Sequence, residues 1–119
     1  MKVVIVEDES LAVKKLESLL YRYSADLEVV ARLASVRSAV EWFSGNPEPE
    51  LIFMDVHLED GLSFGILELQ SISAHVIFTT AFDEFSANAF KGNEADFLLK
   101  PINFEDLERT LDKALKGKS

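Results

Sequence analysis

Short apolar runs alternate along the chain with segments in which apolar residues recur at helical spacing. The runs are mostly aliphatic and β-branched, which is typical of strands buried on both faces of a sheet. They predict strands at 3–6, 27–33, 51–54, 75–79 and 97–99. The segments between and after the strands predict helices.

Three of the predicted helices are supported both by an apolar stripe and by a capping residue. Ser10, Ser35 and Asn103 are the expected N-caps of the first, second and last helix, with Asp106 in the reciprocal position to Asn103. Segments 64–69 and 82–90 predict two further helices. The apolar stripes of the first, second and last helix are Ala12, Leu16, Leu19, Leu20 and Tyr23; Val36, Ala39, Val40 and Phe43; and Phe104, Leu107, Leu111, Ala114 and Leu115.

Alternating strands and helices of this size predict a single α/β domain over residues 1–119, with a parallel sheet covered by helices on both faces. In such folds ligands bind beyond the carboxyl ends of the strands, where the strand order reverses. The residues that end each strand are therefore the first candidates for chemistry.

Composition and charge narrow the possible functions. The 119 residues carry a net charge of −9, which argues against binding to a nucleic-acid backbone. The absence of cysteine excludes disulfides and thiolate metal sites. No stretch approaches the ~20 apolar residues of a membrane helix, and the N-terminal run is too short for a signal peptide. We expect a soluble cytoplasmic domain.

Charged or hydroxyl side chains stand at the ends of four of the five predicted strands. Glu7 and Asp8 follow the first strand, Asp55 the third, Thr80 the fourth and Lys100 the fifth. Carboxylates that converge from two strands repel one another unless a cation joins them, and oxygen ligands without His or Cys favour Mg²⁺. Asp carboxylates also form acyl phosphates, whose charge a metal ion, a lysine and a hydroxyl group could neutralise.

Together, Glu7-Asp8, Asp55, Thr80-Ala81 and Lys100-Pro101 resemble the receiver domain of two-component response regulators. The resemblance extends from residue 3 to the last helix and implies a CheY-like, flavodoxin-like fold. That fold is a doubly wound, five-stranded parallel sheet of strand order 2-1-3-4-5 with five helices. Segment 80–102, TAFDEFSANAFKGNEADFLLKPI, is further similar to the LytR/AlgR subfamily, whose members usually carry a C-terminal LytTR DNA-binding domain.

The resemblance implies roles for the residues at the strand ends. Asp55 would accept a phosphoryl group from a sensor histidine kinase. Asp8 and Asp55 would bind Mg²⁺ through their side chains, Glu7 through water and His57 through its backbone carbonyl. Lys100 would pair with a phosphoryl oxygen. The Lys100–Pro101 bond is commonly cis in this family.

The resemblance also implies a conformational switch. Thr80 would move inward to bond the phosphoryl group while the aromatic Phe97 rotates inward. Phosphorylation would favour homodimers through the face of the fourth helix, fifth strand and fifth helix. DNA would be bound only by an output domain absent from this chain. Bulky Phe82 is hypothesised to shield the acyl phosphate from water.

Departures from the family pattern and other functions also have to be considered. Glu7 replaces the commoner Asp, and Glu59 stands where proline is usual, so a less rigid loop is expected after Asp55. An aspartate-nucleophile phosphatase would need a second Asp where His57 stands. A nucleotide or flavin carrier would need glycines where the loop 7–10 is EDES. We therefore expect a switch rather than an enzyme, and the alternative is a stand-alone receiver that acts through protein–protein interaction.

Overall fold

The computed structural model describes residues 1–81 and 96–116. The strands are β1 (Lys2–Val6), β2 (Glu28–Leu33), β3 (Leu51–Asp55), β4 (His57–Leu58), β5 (Gly61–Leu62), β6 (His75–Thr80) and β7 (Asp96–Leu99). The helices are α1 (Ser10–Tyr23), α2 (Val36–Gly45), α3 (Phe64–Leu69) and α4 (Phe104–Lys116).

The main sheet has five parallel strands in the order β2-β1-β3-β6-β7. This order confirms the predicted doubly wound topology, with the reversal of strand order between β1 and β3. The two short strands β4 and β5 form a separate antiparallel hairpin directly after β3, which the sequence analysis does not predict. The helix predicted at 82–90 lies outside the described residues.

Strict alternation of side chains explains why the central strands are apolar throughout. In β1, Val3 and Ile5 face α1 and α4, whereas Val4 and Val6 face α2 and α3. β3 repeats the pattern and is buried at every position. Two separate cores therefore clamp these strands, and the carboxyl ends of β1 and β3 are held side by side.

The starts of the helices agree with the sequence predictions at two of three positions. Ser35 caps α2 in a reciprocal capping box with Ser38, and the Asn103 side chain accepts a hydrogen bond from the amide of Asp106 at 2.8 Å. The prediction that Ser10 caps α1 is wrong. Ser10 is the first helical residue, because the carbonyl of Glu9 already accepts the first helical hydrogen bond, and the Glu9 side chain makes no capping bond.

A polar contact joins α1 to α4 at the rim of one core. The Tyr23 hydroxyl donates to Asp112 Oδ1 at 2.6 Å, and the Arg22 guanidinium lies 4.1 Å from the centroid of the Phe104 ring. Burial, together with the hydrogen bond and charge of Asp112, raises the pKa of Tyr23 to about 12. The neutral phenol is therefore the form that the folded state stabilises.

We predict that Tyr23→Phe lowers the free energy of unfolding by about 1 kcal/mol at neutral pH, because it removes a hydrogen bond to a carboxylate. The contribution of Tyr23 is fully present below its unfolded pKa of about 10 and is lost as the pH rises through the folded value. Between these values, the wild type should lose stability with pH more steeply than the variant. Urea unfolding at a series of pH values measures both effects.

The matched control is Tyr21→Phe, since Tyr21 lies on the same helix with its side chain half exposed. At neutral pH this variant should lose less stability than Tyr23→Phe. Equal losses of stability in the two variants at neutral pH would contradict a specific role of the contact between Tyr23 and Asp112.

Candidate functional site

Two carboxylates are buried where β1 and β3 end. Glu7 directly follows β1, and Asp55 is the last residue of β3; each is only 7% exposed. The amide of Glu7 donates to the carbonyl of Leu33 at 2.8 Å, which extends the pairing of β1 with β2 by one residue. Because buried carboxylates are costly without partners, this end of the sheet requires cations or donors.

Lys100 supplies the first of these cations. Its Nζ lies 2.6 Å from Glu7 Oε1 and 3.2 Å from Asp55 Oδ2, and the Lys100–Pro101 peptide is cis, as expected. Burial of the ammonium lowers its pKa, but the hydrogen bond to Glu7 and the charges of Asp55 and Glu7 outweigh burial. The pKa of Lys100 is therefore raised above its ordinary value, and the side chain carries a positive charge at neutral pH.

The third carboxylate, that of exposed Asp8, completes an acidic cluster. Glu7, Asp8 and Asp55 each place an oxygen within 4.8 Å of the others. Within the part of the chain that the structure describes, these three carboxylates outnumber the single charge of Lys100 by two. A divalent cation that prefers oxygen ligands fits both this charge and this donor set. The structure thus brings together the three carboxylates that the resemblance implies for the metal site, those of Asp8 and Asp55 as direct ligands and that of Glu7 through water.

Thr80 is the last residue of β6, and Phe97 lies on the neighbouring strand β7. Thr80 ends β6 and is fully buried, and its carbonyl accepts a hydrogen bond from the amide of Lys100 at 2.8 Å. Phe97 is opposite Phe78 in the register of β6 and β7, and the two rings stack with centroids 5.5 Å apart. Phe82, the hypothesised shield, lies outside the described residues.

The loop after Asp55 is a tight turn held at several points. His57 is the first residue of the β4–β5 hairpin, and its side chain is exposed. The His57 amide lies 3.4 Å from Asp55 Oδ1. Val56 and Leu58 are buried, and the amide of Ser63 donates to the carbonyl of Val56 at 2.9 Å. The expectation of a less rigid loop rests on Glu59 and stays a prediction, and these contacts are the ones that hold the loop in the structure.

Asp60 was missed by the sequence analysis. Its carboxylate accepts hydrogen bonds from the amides of Val36, at 2.8 Å, and Arg37, at 3.1 Å. These two bonds, that of Val36 first, hold the pKa of the Asp60 carboxyl below its usual range. The pair Asp60-Gly61 would have indicated only a turn, because the partner amides are more than twenty residues away.

A cavity of about 450 Å³ borders the cluster on the side of α1. Glu7 and Lys100 contribute to one wall, and Leu11, Leu16 and Ile102 are among the apolar residues around it. Leu11 is 78% exposed, although it is a large apolar residue at the start of α1. Within the described ranges, no helix is long and apolar enough to cross a membrane.

Solved structures of response regulator domains and proteins have a similar fold. The response regulatory domain of protein mrkE from Klebsiella pneumoniae superposes with a TM-score of 0.82 at 25% identity, covering 98% of this chain and 97% of that one. PhyR from Bartonella quintana, named an anti-anti-sigma factor, superposes with a TM-score of 0.80 at 26% identity, covering 98% of this chain and 48% of PhyR.

Two relatives are named as signalling or regulatory proteins. The sensory transduction protein LytT of Bacillus anthracis is 33% identical over 121 residues, covering 99% of this chain and 48% of LytT. The transcriptional regulatory protein BtsR of Escherichia coli K12 is 35% identical over 124 residues, covering 100% of this chain and 50% of BtsR. The chain thus spans about half the length of these relatives.

The family model described as the response regulator receiver domain matches residues 3–112, nearly the whole chain. Apart from Lys2, the match includes all residues of the main sheet, and it includes the acidic cluster at the carboxyl edge of that sheet. The chain therefore belongs to the family of response regulator receiver domains.

Proposed function

We propose that this receiver accepts a phosphoryl group on Asp55 from a histidine kinase, with Mg²⁺ held by the acidic cluster. The observation that carries the proposal is the surroundings of the Asp55 carboxylate. One of its oxygens lies 3.2 Å from the Lys100 ammonium, and the carboxylates of Glu7 and Asp8 reach within 4.8 Å of it. The cluster thus places a nucleophile beside the ammonium of Lys100 and beside carboxylates that could hold a metal ion. These are the positive charges that a phosphoryl group requires.

The proposed transfer is a single displacement at phosphorus. An oxygen of Asp55 attacks the phosphorus of a phosphohistidine, a P–O bond forms as the P–N bond breaks, and the imidazole leaves with the bonding electron pair and takes up a proton. Glu7, Asp8, Asp55 and the carbonyl of His57 would hold Mg²⁺, which would neutralise charge on the phosphoryl oxygens. Lys100 would exchange part of its contact with Asp55 for a phosphoryl oxygen.

Thr80 and Phe97 are proposed to convert the new charge into a change of packing. Thr80 lies at the end of β6 beside the acceptor strand, since Asp55 is opposite Thr79 in the register of β3 and β6. Movement of the Thr80 hydroxyl to a phosphoryl oxygen would vacate space next to β7. Phe97, which is half-buried, would then turn further inward, so that the phosphoryl group selects one of two packings.

The output of the complete regulator is proposed from its relatives. LytT is named a sensory transduction protein and BtsR a transcriptional regulatory protein, and each is about twice as long as this chain. We propose a LytTR-type DNA-binding domain as the output, and homodimerisation through the face that includes β7 and α4. Leu99 of β7, 42% exposed, lies on an edge strand that such a dimer would use.

We predict that Asp8→Asn stabilises the protein without Mg²⁺ and destabilises it, relative to the wild type, with Mg²⁺. Removal of one exposed charge from a cluster with excess negative charge should add about 0.5 kcal/mol to the free energy of unfolding in EDTA. The variant also loses a metal ligand, so the wild type gains more from millimolar Mg²⁺. Chemical denaturation under both conditions measures the reversal.

Asp26→Asn is the control for Asp8→Asn, because it makes the same chemical change at an exposed position before β2, at the opposite edge of the sheet. Its stability should respond to Mg²⁺ as that of the wild type does. If Asp8→Asn and Asp26→Asn respond alike to Mg²⁺, Asp8 is not a ligand.

We predict that Asp55→Asn abolishes labelling by acetyl phosphate and binding of beryllofluoride in the presence of Mg²⁺. An amide has no anionic oxygen to form the acyl phosphate, whereas Asp26→Asn should be labelled like the wild type. Intact-mass spectrometry detects the phosphoryl adduct, and circular dichroism checks that each variant is folded. Retention of the adduct in Asp55→Asn would place the acceptor elsewhere and refute the proposed function.

A further inference from the structure

The loop that follows the phosphoacceptor joins two parts of the molecule. The loop begins after Asp55 and is first held to the main sheet, because the amide of Val56 donates to the carbonyl of Thr79 at 2.9 Å. The hairpin then pairs His57 with Leu62 and Leu58 with Gly61. Gly61 has a φ of +142°, a conformation that side chains with a Cβ rarely adopt, so the turn reverses sharply at this point.

The tip of the loop is bound to the start of α2. Asp60, at the tip of the hairpin, receives the amide hydrogens of Val36 and Arg37 on its two carboxylate oxygens. These are the first two residues of α2, and both bonds span more than twenty residues of sequence. The contact is therefore a tertiary one that holds the hairpin against another element of the fold.

The four amides at the start of α2 are all satisfied, and Asp60 accounts for half of them. Ser35 and Ser38 bond each other's amides through their hydroxyl groups, at 3.0 and 3.1 Å. The two remaining amides, those of Val36 and Arg37, donate to Asp60. Helix starts leave four such donors without an intrahelical partner. Ser35 and Asp60 thus share the capping of α2, but only Asp60 also belongs to the phosphoacceptor loop.

We propose that Asp60 is a positioning residue of the metal site, which anchors the hairpin to α2 and so fixes the backbone carbonyl of His57 for Mg²⁺. The proposal rests on the proposed function of Asp55 and its metal. A two-residue ladder is marginal by itself, and Glu59 leaves the turn without the rigid ring of a proline. The carboxylate of Asp60 provides a fixed point three residues after His57.

The two caps of α2 allow a matched experiment. Asp60→Ala and Ser35→Ala each remove a side chain that caps the same helix, so both should lower the denaturation midpoint. Only Asp60→Ala releases the hairpin. Mg²⁺ affinity is measured by amide chemical-shift titration without any phosphodonor. We expect Asp60→Ala to raise the dissociation constant for Mg²⁺ about tenfold, the usual scale for residues that orient a metal ligand, and Ser35→Ala to leave it unchanged.

A third variant and a second readout keep the test decisive if Asp60→Ala folds poorly. Asp60→Asn keeps one acceptor oxygen for the two amides, so its loss of Mg²⁺ affinity should lie between those of the wild type and Asp60→Ala. In labelling by acetyl phosphate, both Asp60 variants should need more Mg²⁺ for half the maximal rate. The rate at saturating Mg²⁺ should match that of the wild type, because the nucleophile and Lys100 are untouched.

The outcomes separate this inference from the proposed function. If the wild type neither binds Mg²⁺ nor is labelled, the proposed function fails and the role of Asp60 falls with it. If the wild type does both, equal Mg²⁺ affinity in the wild type and the Asp60 variants overturns the positioning role alone. An equal loss of affinity in Ser35→Ala and Asp60→Ala also overturns it, since the effect would then come from fraying of α2.

Discussion

The burial of two carboxylates at the carboxyl edge of the sheet is the constraint on which the site depends. Glu7 follows β1 and Asp55 ends the adjacent strand β3, and both strands are packed by hydrophobic cores on the two faces of the sheet, so their backbones are held side by side. Lys100 reaches both carboxylates from β7, although β6 lies between β7 and β3. The long side chain of lysine makes this reach possible, and the excess negative charge that remains is what a divalent metal ion can neutralise.

Most of this arrangement could be predicted from the sequence, because parallel strands place their carboxyl ends at one edge. Continuous apolar runs located the five main strands, and the residues that followed them gave Glu7, Asp8, Asp55, Thr80 and Lys100. The capping role of Ser35 was also predictable, since its partner is only three residues away. The prediction for Ser10 was wrong because it relied on a local pattern alone. That pattern located the start of α1 to within one residue, but it did not show that the N-cap is Glu9, whose side chain makes no capping bond.

What could not be predicted depends on contacts between residues distant in sequence. Asp60-Gly61 has the composition of any turn, and nothing in the order of residues indicates that its carboxylate lies at the start of α2. The expectation of a less rigid loop at Glu59 has the same limit, because it considers only the absence of a proline ring. Burial of Val56 and Leu58 and the hydrogen bonds of Asp60 also act on this loop, and the local sequence does not indicate them.

A loop tied at both ends has an energetic consequence for α2. Linked equilibria are reciprocal. If the hydrogen bonds from Asp60 to α2 improve Mg²⁺ binding, then Mg²⁺ binding must strengthen those hydrogen bonds by the same free energy. The first turn of α2 packs Val36 and Ala39 against the core on its side of the sheet. The occupancy of the acidic cluster would then be felt at α2 through Asp60 as well as at β7 through Thr80 and Phe97. Both routes lead to the same face of the sheet, because Val36 of α2 and Phe97 of β7 pack against one core.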